Sequence, residues 1–187
     1  MSSSRQVFCV KLFEPLKVGG WMLVEKLLRW CIHPRLRARC LHILGAHIGA
    51  RARIYEIMLI NPFAGFSNLT VGEDTVIGTG TMIDLTGGVE IGSHTAVAPG
   101  CMFMTHSDPG SRIGNRLCAL YPRTISPIRI GDHVWIGAQT LVLGGVVIGN
   151  EVVIGAGSLV TKDVPSGVVA YGRPAVFTRS LSEVHSA

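Results

Sequence analysis

From Ile130 onward every sixth residue is aliphatic: Ile130, Ile136, Val142, Ile148, Ile154 and Val160, with a glycine next in line at Gly131, Gly137, Gly149 and Gly155. An α-helix repeats its faces every 3.6 residues and a lone strand every two, so neither produces this period. A repeat of six is met when each unit forms one short strand and one corner, and three units complete a turn of a stacked, three-sided coil. The repeated aliphatic points into the axis, and successive coils lie about 4.8 Å apart, the ordinary spacing of paired strands. Glycine takes the crowded corner that follows. A second inward site falls four residues after each aliphatic, at Val134, Thr140, Val146, Val152, Ser158 and Val164, all small or β-branched. A β-sandwich would instead show period-two alternation with irregular turns.

The same period extends upstream. Val71, Ile77, Ile83 and Val89 keep step, a two-residue slip resets the phase to Ile91, Val97 and Phe103, and Ile48 and Ile54 suggest a less regular start. The expected architecture is all-β: a parallel β-helix over residues 46–170, preceded by a helical segment, 1–45, and followed by a tail, 171–187. Residues 107–127 contain no hexad and are rich in Pro, Gly, Ser and Arg. They are expected to form a loop thrown out of the coil, and a loop this long in so regular a stack points to function.

Before the coil, Trp21, Val24, Leu27, Leu28 and Cys31 recur at helical spacing, with Glu25, Lys26 and Arg29 on the other face. Pro34 opens a second helix with Leu36, Cys40 and Ile43 on one face and Gly45 as its stop. Two roles fit these helices, separately or together. They could cap the open end of the coil. They could also lie on anionic lipid, since residues 17–44 combine Trp21 and Trp30 with Lys17, Lys26, Arg29, Arg35, Arg37 and Arg39. The apolar run is too short to span a bilayer. The net charge of +5 favours anionic partners, and the absence of aromatics interleaved with basic residues argues against nucleic acid. Five scattered cysteines without a CxxC pair, and an N-terminus without a signal-peptide pattern, point to reduced thiols in a cytoplasm, with contact at the inner face of a membrane as an option.

The segments MTHSDPG, PIRIGDHVWIGAQ and IGAGSLVTKDVPSGVVAYGRPA resemble the hexapeptide-repeat acyltransferases, in particular sugar O-acetyltransferases of the maltose, galactoside and polysaccharide-cluster type. The resemblance spans about residues 46–180. It implies a left-handed parallel β-helix, a homotrimer, and acetyl-CoA bound between subunits, with acetyl transferred to a sugar hydroxyl. His106 occupies the place of the family's catalytic histidine, and an imidazole titrating near neutrality can take the proton of an attacking hydroxyl. No Ser or Cys is paired with it by motif, so direct transfer is expected, without an acyl-enzyme.

Asp84 matches an acidic residue that binds acceptor hydroxyls in the sugar enzymes; the plain alternative is a small polar residue at a corner. Trp135 resembles a tryptophan lining the site. Gly137 and Ala138 fall where a backbone amide can face the thioester oxygen. Ala156, Thr161 and Lys162 match pantetheine and phosphate contacts, and Arg173 and Arg179 are candidates for the nucleotide phosphates. His94 and His133 share one corner position, but the paired-histidine spacing of the related γ-class carbonic anhydrase is missing after His106, so no metal is expected. N-acetylation of an amino sugar or antibiotic, and a non-catalytic β-helix scaffold, remain as rival readings.

Overall fold

A computed structural model describes residues 19–110 and 113–184 of the chain. Three sheets of parallel strands form the sides of a prism. The first holds His47–Ile48, Leu69–Val71, Val89–Ile91, Ile128–Ile130 and Val147–Ile148. The second runs from Arg53–Ile54 through Val76–Ile77, Ala96–Val97, Trp135–Ile136 and Val153–Ile154. The third holds Ile57–Ile60, Thr81–Asp84, Met102–Met104, Leu141–Leu143 and Leu159–Val160. The chain visits the sheets in this order, once per coil.

The hexad aliphatics fill the axis. Ile77, Ile83, Val89, Phe103, Ile136, Val142 and Ile154 are all buried, and so are the second inward residues Val134, Thr140, Val146, Val152 and Ser158. Each buried aliphatic of this size contributes about 2 kcal/mol. The hydroxyls among these second inward residues are satisfied: Thr140 Oγ1 donates to Gly137 O at 2.8 Å and Ser158 Oγ to Gly155 O at 2.6 Å. The glycines that follow the aliphatics are forced by contact between coils. A Cβ on Gly72 would stand 2.4 Å from Ser93 N and 2.5 Å from the carbonyl carbon of Gly92.

Register shows where the coils depart from 18 residues. Ile130 pairs with Ile148, one coil of 18 residues, but Ile91 pairs with Ile130 and Val71 with Ile91, coils of 39 and 20. The six-residue step holds between the first and second sheets in every coil, as Val71 to Ile77 and Ile91 to Val97. Ile83 to Ile91 takes eight residues and Phe103 to Ile130 takes 27, so the excess enters at one corner, from the third sheet to the first. The two short 3-10 turns Pro62–Ala64 and Phe66–Asn68 lengthen the same corner in the first coil.

Two helices cover the first coil: α1, described over residues 19–30, and α2, Pro34–Ile43. Their inward faces differ from the sequence expectation. Glu25 is buried and Leu27 exposed; on α2 Arg37, Ala38 and Leu41 are buried while Leu36 and Ile43 face outward. The reason is the open end of the prism, whose edge groups need partners. Glu25 Oε1 accepts from Leu59 N at 3.4 Å, and Arg37 donates to Ile54 O at 3.0 Å and to Leu28 O at 3.0 Å, tying the end of α1 to the first coil. Arg37 is thus a buried cap and not a lipid-facing cation. Lys17 and Cys9 lie outside the described residues.

At the other end, Val168–Gly172 joins the second sheet and Ala175–Ser180 folds back on it as an antiparallel hairpin, followed by the one-turn helix Leu181–Val184. The pairing of Ala175–Ser180, inside the stretch expected to be a tail, with Val168–Gly172 covers the last edge of that sheet.

Candidate active site

The lengthened corner gathers the polar residues. Asp84 ends the strand Thr81–Asp84, and the next coil stacks Met102 on Met82 and Phe103 on Ile83, which brings Thr105 and His106 over the carboxylate. Asp84 is 0% exposed. Its Oδ1 accepts from Thr86 Oγ1 at 2.7 Å, Thr86 N at 3.1 Å and Asn61 Nδ2 at 3.3 Å. Its Oδ2 accepts from Thr105 Oγ1 at 2.6 Å and Thr105 N at 3.0 Å, and lies 2.5 Å from His106 Nδ1.

Burial by itself raises the pKa of such a carboxyl. The hydrogen bonds from His106, Thr105 and Thr86 outweigh it and hold Asp84 at about 2. At neutral pH the carboxylate is therefore an acceptor only, so the proton between it and the ring belongs to Nδ1. In neutral imidazole this leaves the lone pair on Nε2. Both oxygens of Asp84 are taken by donors of its own chain, so the aspartate stands behind the histidine and is closed to a substrate hydroxyl.

His106 keeps 22% of its side chain exposed and stands between two clefts. One, of about 280 Å³, is lined by Asn61, Phe63, Ala64, Thr86, Asp108 and Arg123. The other, of about 310 Å³, is lined by Met104, Ser107, Thr124, Ser126, Leu143 and Gly144. Loop 107–127 is pinned at its base, where His106–Ser107 pairs antiparallel with Thr124–Ile125. Within it Asp108 accepts from Gly110 N at 2.8 Å and faces Arg123 at 3.9 Å. Asn61, Phe63, Thr86, Asp108 and Arg123 were not singled out by sequence. The signal that bears on Asp108 and Arg123 is the hexad-free run 107–127 that holds them, and on Thr86 the two-residue slip of phase before Ile91.

The remaining sequence candidates divide by corner. Thr161 and Lys162 follow Leu159–Val160, which stacks on Leu141–Leu143 beside the His106 coil, so they share its edge of the prism. Trp135 is exposed on the second sheet, and Gly137, Ala138 and Ala156 lie at the corner from the second sheet to the third. None of these four lines a cleft at His106 within one chain. Arg173 and Arg179 are exposed on the C-terminal hairpin. Cys101 is buried, with Sγ 3.2 Å from Gly137 O, a core thiol. His94 and His133 stack at 5.0 Å and 8°, successive corner residues in left-handed backbone, and no group of three or more His, Cys, Asp or Glu suited to a metal occurs among the described residues.

Residues 127–162 match the family model of the bacterial transferase hexapeptide of six repeats. The galactoside O-acetyltransferase of Lactococcus lactis is 37% identical over 60% of this chain and 56% of its own length. The chain carries the hexapeptide repeat of that family model and is similar to hexapeptide-repeat acetyltransferases. Among solved structures of that family, a hexapeptide-repeat acetyltransferase from Vibrio cholerae superposes with a TM-score of 0.76, at 25% identity over 89% of this chain and 92% of that one. A galactoside acetyltransferase in complex with coenzyme A superposes with a TM-score of 0.66, at 27% identity over 92% and 84%. The sequence match to the Lactococcus enzyme spans little more than half of that relative's length.

Proposed function

We propose that the chain transfers the acetyl group of acetyl-CoA to a hydroxyl of a sugar-containing acceptor, with His106 as general base. The observation that carries this reading is the saturated Asp84 carboxylate, which fixes the proton on Nδ1 of His106 and turns a lone pair of Nε2 toward the clefts. In the reaction, Nε2 accepts the acceptor hydroxyl proton as its oxygen bonds to the thioester carbonyl carbon. The carbon–sulfur bond then breaks, and the proton passes to the leaving thiolate. Asp84 acts through His106, holding the ring and favouring the imidazolium that forms. The cleft of Asn61, Thr86, Asp108 and Arg123 suits an acceptor rich in hydroxyls, and that of Met104, Leu143 and Gly144 suits the pantetheine arm.

A homotrimer of left-handed β-helices completes this reading. Trp135, Gly137, Ala138 and Ala156 lie one prism side away from His106 in a single chain, and a groove between two copies would set them opposite it. Thr161, Lys162, Arg173 and Arg179 would then hold the arm and phosphates of the cofactor. The galactoside acetyltransferase solved with coenzyme A supports the choice of cofactor.

The test is transfer of radiolabelled acetyl from acetyl-CoA to a panel of sugars and matched amino sugars, with coenzyme A binding read by thermal shift. At a hundredfold excess over its dissociation constant, coenzyme A should stabilise the fold by about 2.7 kcal/mol. Ester products support the proposal, and amide products alone would replace it with N-acetylation. No transfer and no shift would leave a scaffold.

A further inference from the structure

The two N-terminal helices carry an outward apolar face that the prism does not use. On α1, Leu23, Leu27 and Trp30 follow one another at i, i+4 and i+7, a single stripe on the side opposite Trp21, Val24 and Leu28. Trp30 is 82% exposed, Ile32 in the link 94%, and Ile43 at the end of α2 82%. Large apolar side chains exposed together on one segment in this way mark a contact site. The exposed charge on the helices themselves has one sign, while Arg29 is paired with Glu56 of the first coil at 3.4 Å. Lys26, Arg35 and Arg39 are exposed, and the single carboxylate between residues 19 and 45, Glu25, is turned inward onto Leu59 N. Arg35, Arg39 and His42 also rim a groove of about 500 Å³ between α2 and the first coil, floored by Ala38, Ile43 and Ile48.

We propose that α1 and α2 form an interfacial module that seats the prism on an anionic phospholipid bilayer. Leu23, Leu27, Trp30, Ile32 and Ile43 enter the boundary between headgroups and acyl chains, and Lys26, Arg35 and Arg39 meet the lipid phosphates. Charge selects this occupant. A second copy presenting the same face would set cation against cation, whereas an anionic surface complements all of them. No helix among the described residues is long and apolar enough to cross a membrane, so the module lies on the surface. The buried face of each helix explains why it stays there: Arg37 and Glu25 bind the module rigidly to the first coil. This inference is independent of the transfer chemistry.

The experiment is co-sedimentation of the full chain with vesicles of phosphatidylcholine alone or with 30% phosphatidylglycerol (about a third of the lipid, a common anionic fraction). Binding to the anionic vesicles is expected, weakening as salt rises. The Leu27→Glu, Trp30→Glu double variant should lose at least tenfold in affinity with an unchanged melting curve, and Arg35→Glu, Arg39→Glu should lose binding selectively on anionic lipid. Should the glutamate variants misfold, quenching of the native chain's tryptophan fluorescence by brominated lipid gives a second reading, and Trp30→Phe should abolish most of it. Failure to bind anionic vesicles, or equal binding by the folded variants, overturns the proposal. So does a change of oligomeric state in Leu27→Glu, Trp30→Glu without any lipid binding by the native chain, which would assign the face to contact between copies.

Discussion

Two corners of one prism solve opposite problems. Between the first and second sheets every coil turns in the same six-residue step, with a glycine squeezed against the next coil and a residue such as His94 or His133 in left-handed backbone two positions on. Between the third and first sheets the coils disagree in length, and the surplus residues carry Asn61, Thr86, His106, Asp108 and Arg123. At the glycine position the repeating corner leaves no room for a side chain, and this fits it for close stacking of coils. The lengthened corner has room and leaves polar groups free of the ladder. Stability and chemistry are thus kept apart on the same coil, as for loops carried by rigid scaffolds in general.

That contrast can be attacked directly. His106→Ala should lower acetyl transfer by about two to four orders of magnitude, since it removes the general base, while the melting temperature hardly moves; transfer within threefold of native would break the site reading. Gly72→Ala tests the other corner. Its new Cβ meets backbone at 2.4 Å, which should cost about 3 kcal/mol in urea unfolding, with whatever folded enzyme remains fully active. A neutral outcome would mean that the coils are not in close contact there.

Asp84 links the two behaviours through pH. Its carboxyl titrates near 2 in the folded chain and near 4 when unfolded, so its contribution of about 2 kcal/mol is complete above about pH 4 and is lost as pH falls toward 2. Asp84→Asn should remove that part of the acid dependence and also depress kcat more than KM, because the ring loses its fixed tautomer. An unaltered acid slope would show that the carboxylate is not held as described. The smallest effect belongs to the loop surface: Leu120→Ser, at an exposed site of 107–127, should change stability by less than about 0.5 kcal/mol, and a large loss would reveal that the loop is packed against something, such as a neighbouring copy.

The hexads from Val71 to Val160 could be read directly because each inward aliphatic reports its own environment every six residues. The motif around His106 marked it as a candidate, and the structure places it at the lengthened corner. The burial of Asp84 under six donors was not legible, since such an acceptor and an acidic corner residue look alike in sequence. The helices were legible as helices but not in their facing: Glu25 and Arg37 read as surface charges until the unpaired edge of the first coil supplied them with partners.

What the amino-acid order determined by itself is the period, and with it which residues enter the axis, because a repeat of six permits no other alternation of inside and outside. What only the tertiary structure decided is which surplus residues meet. Asn61, Asp84, Thr105 and His106 belong to three different coils and come together because stacking at the strand spacing converts separations of twenty residues or more into neighbours, while the insertions between them hide that distance from any fixed period.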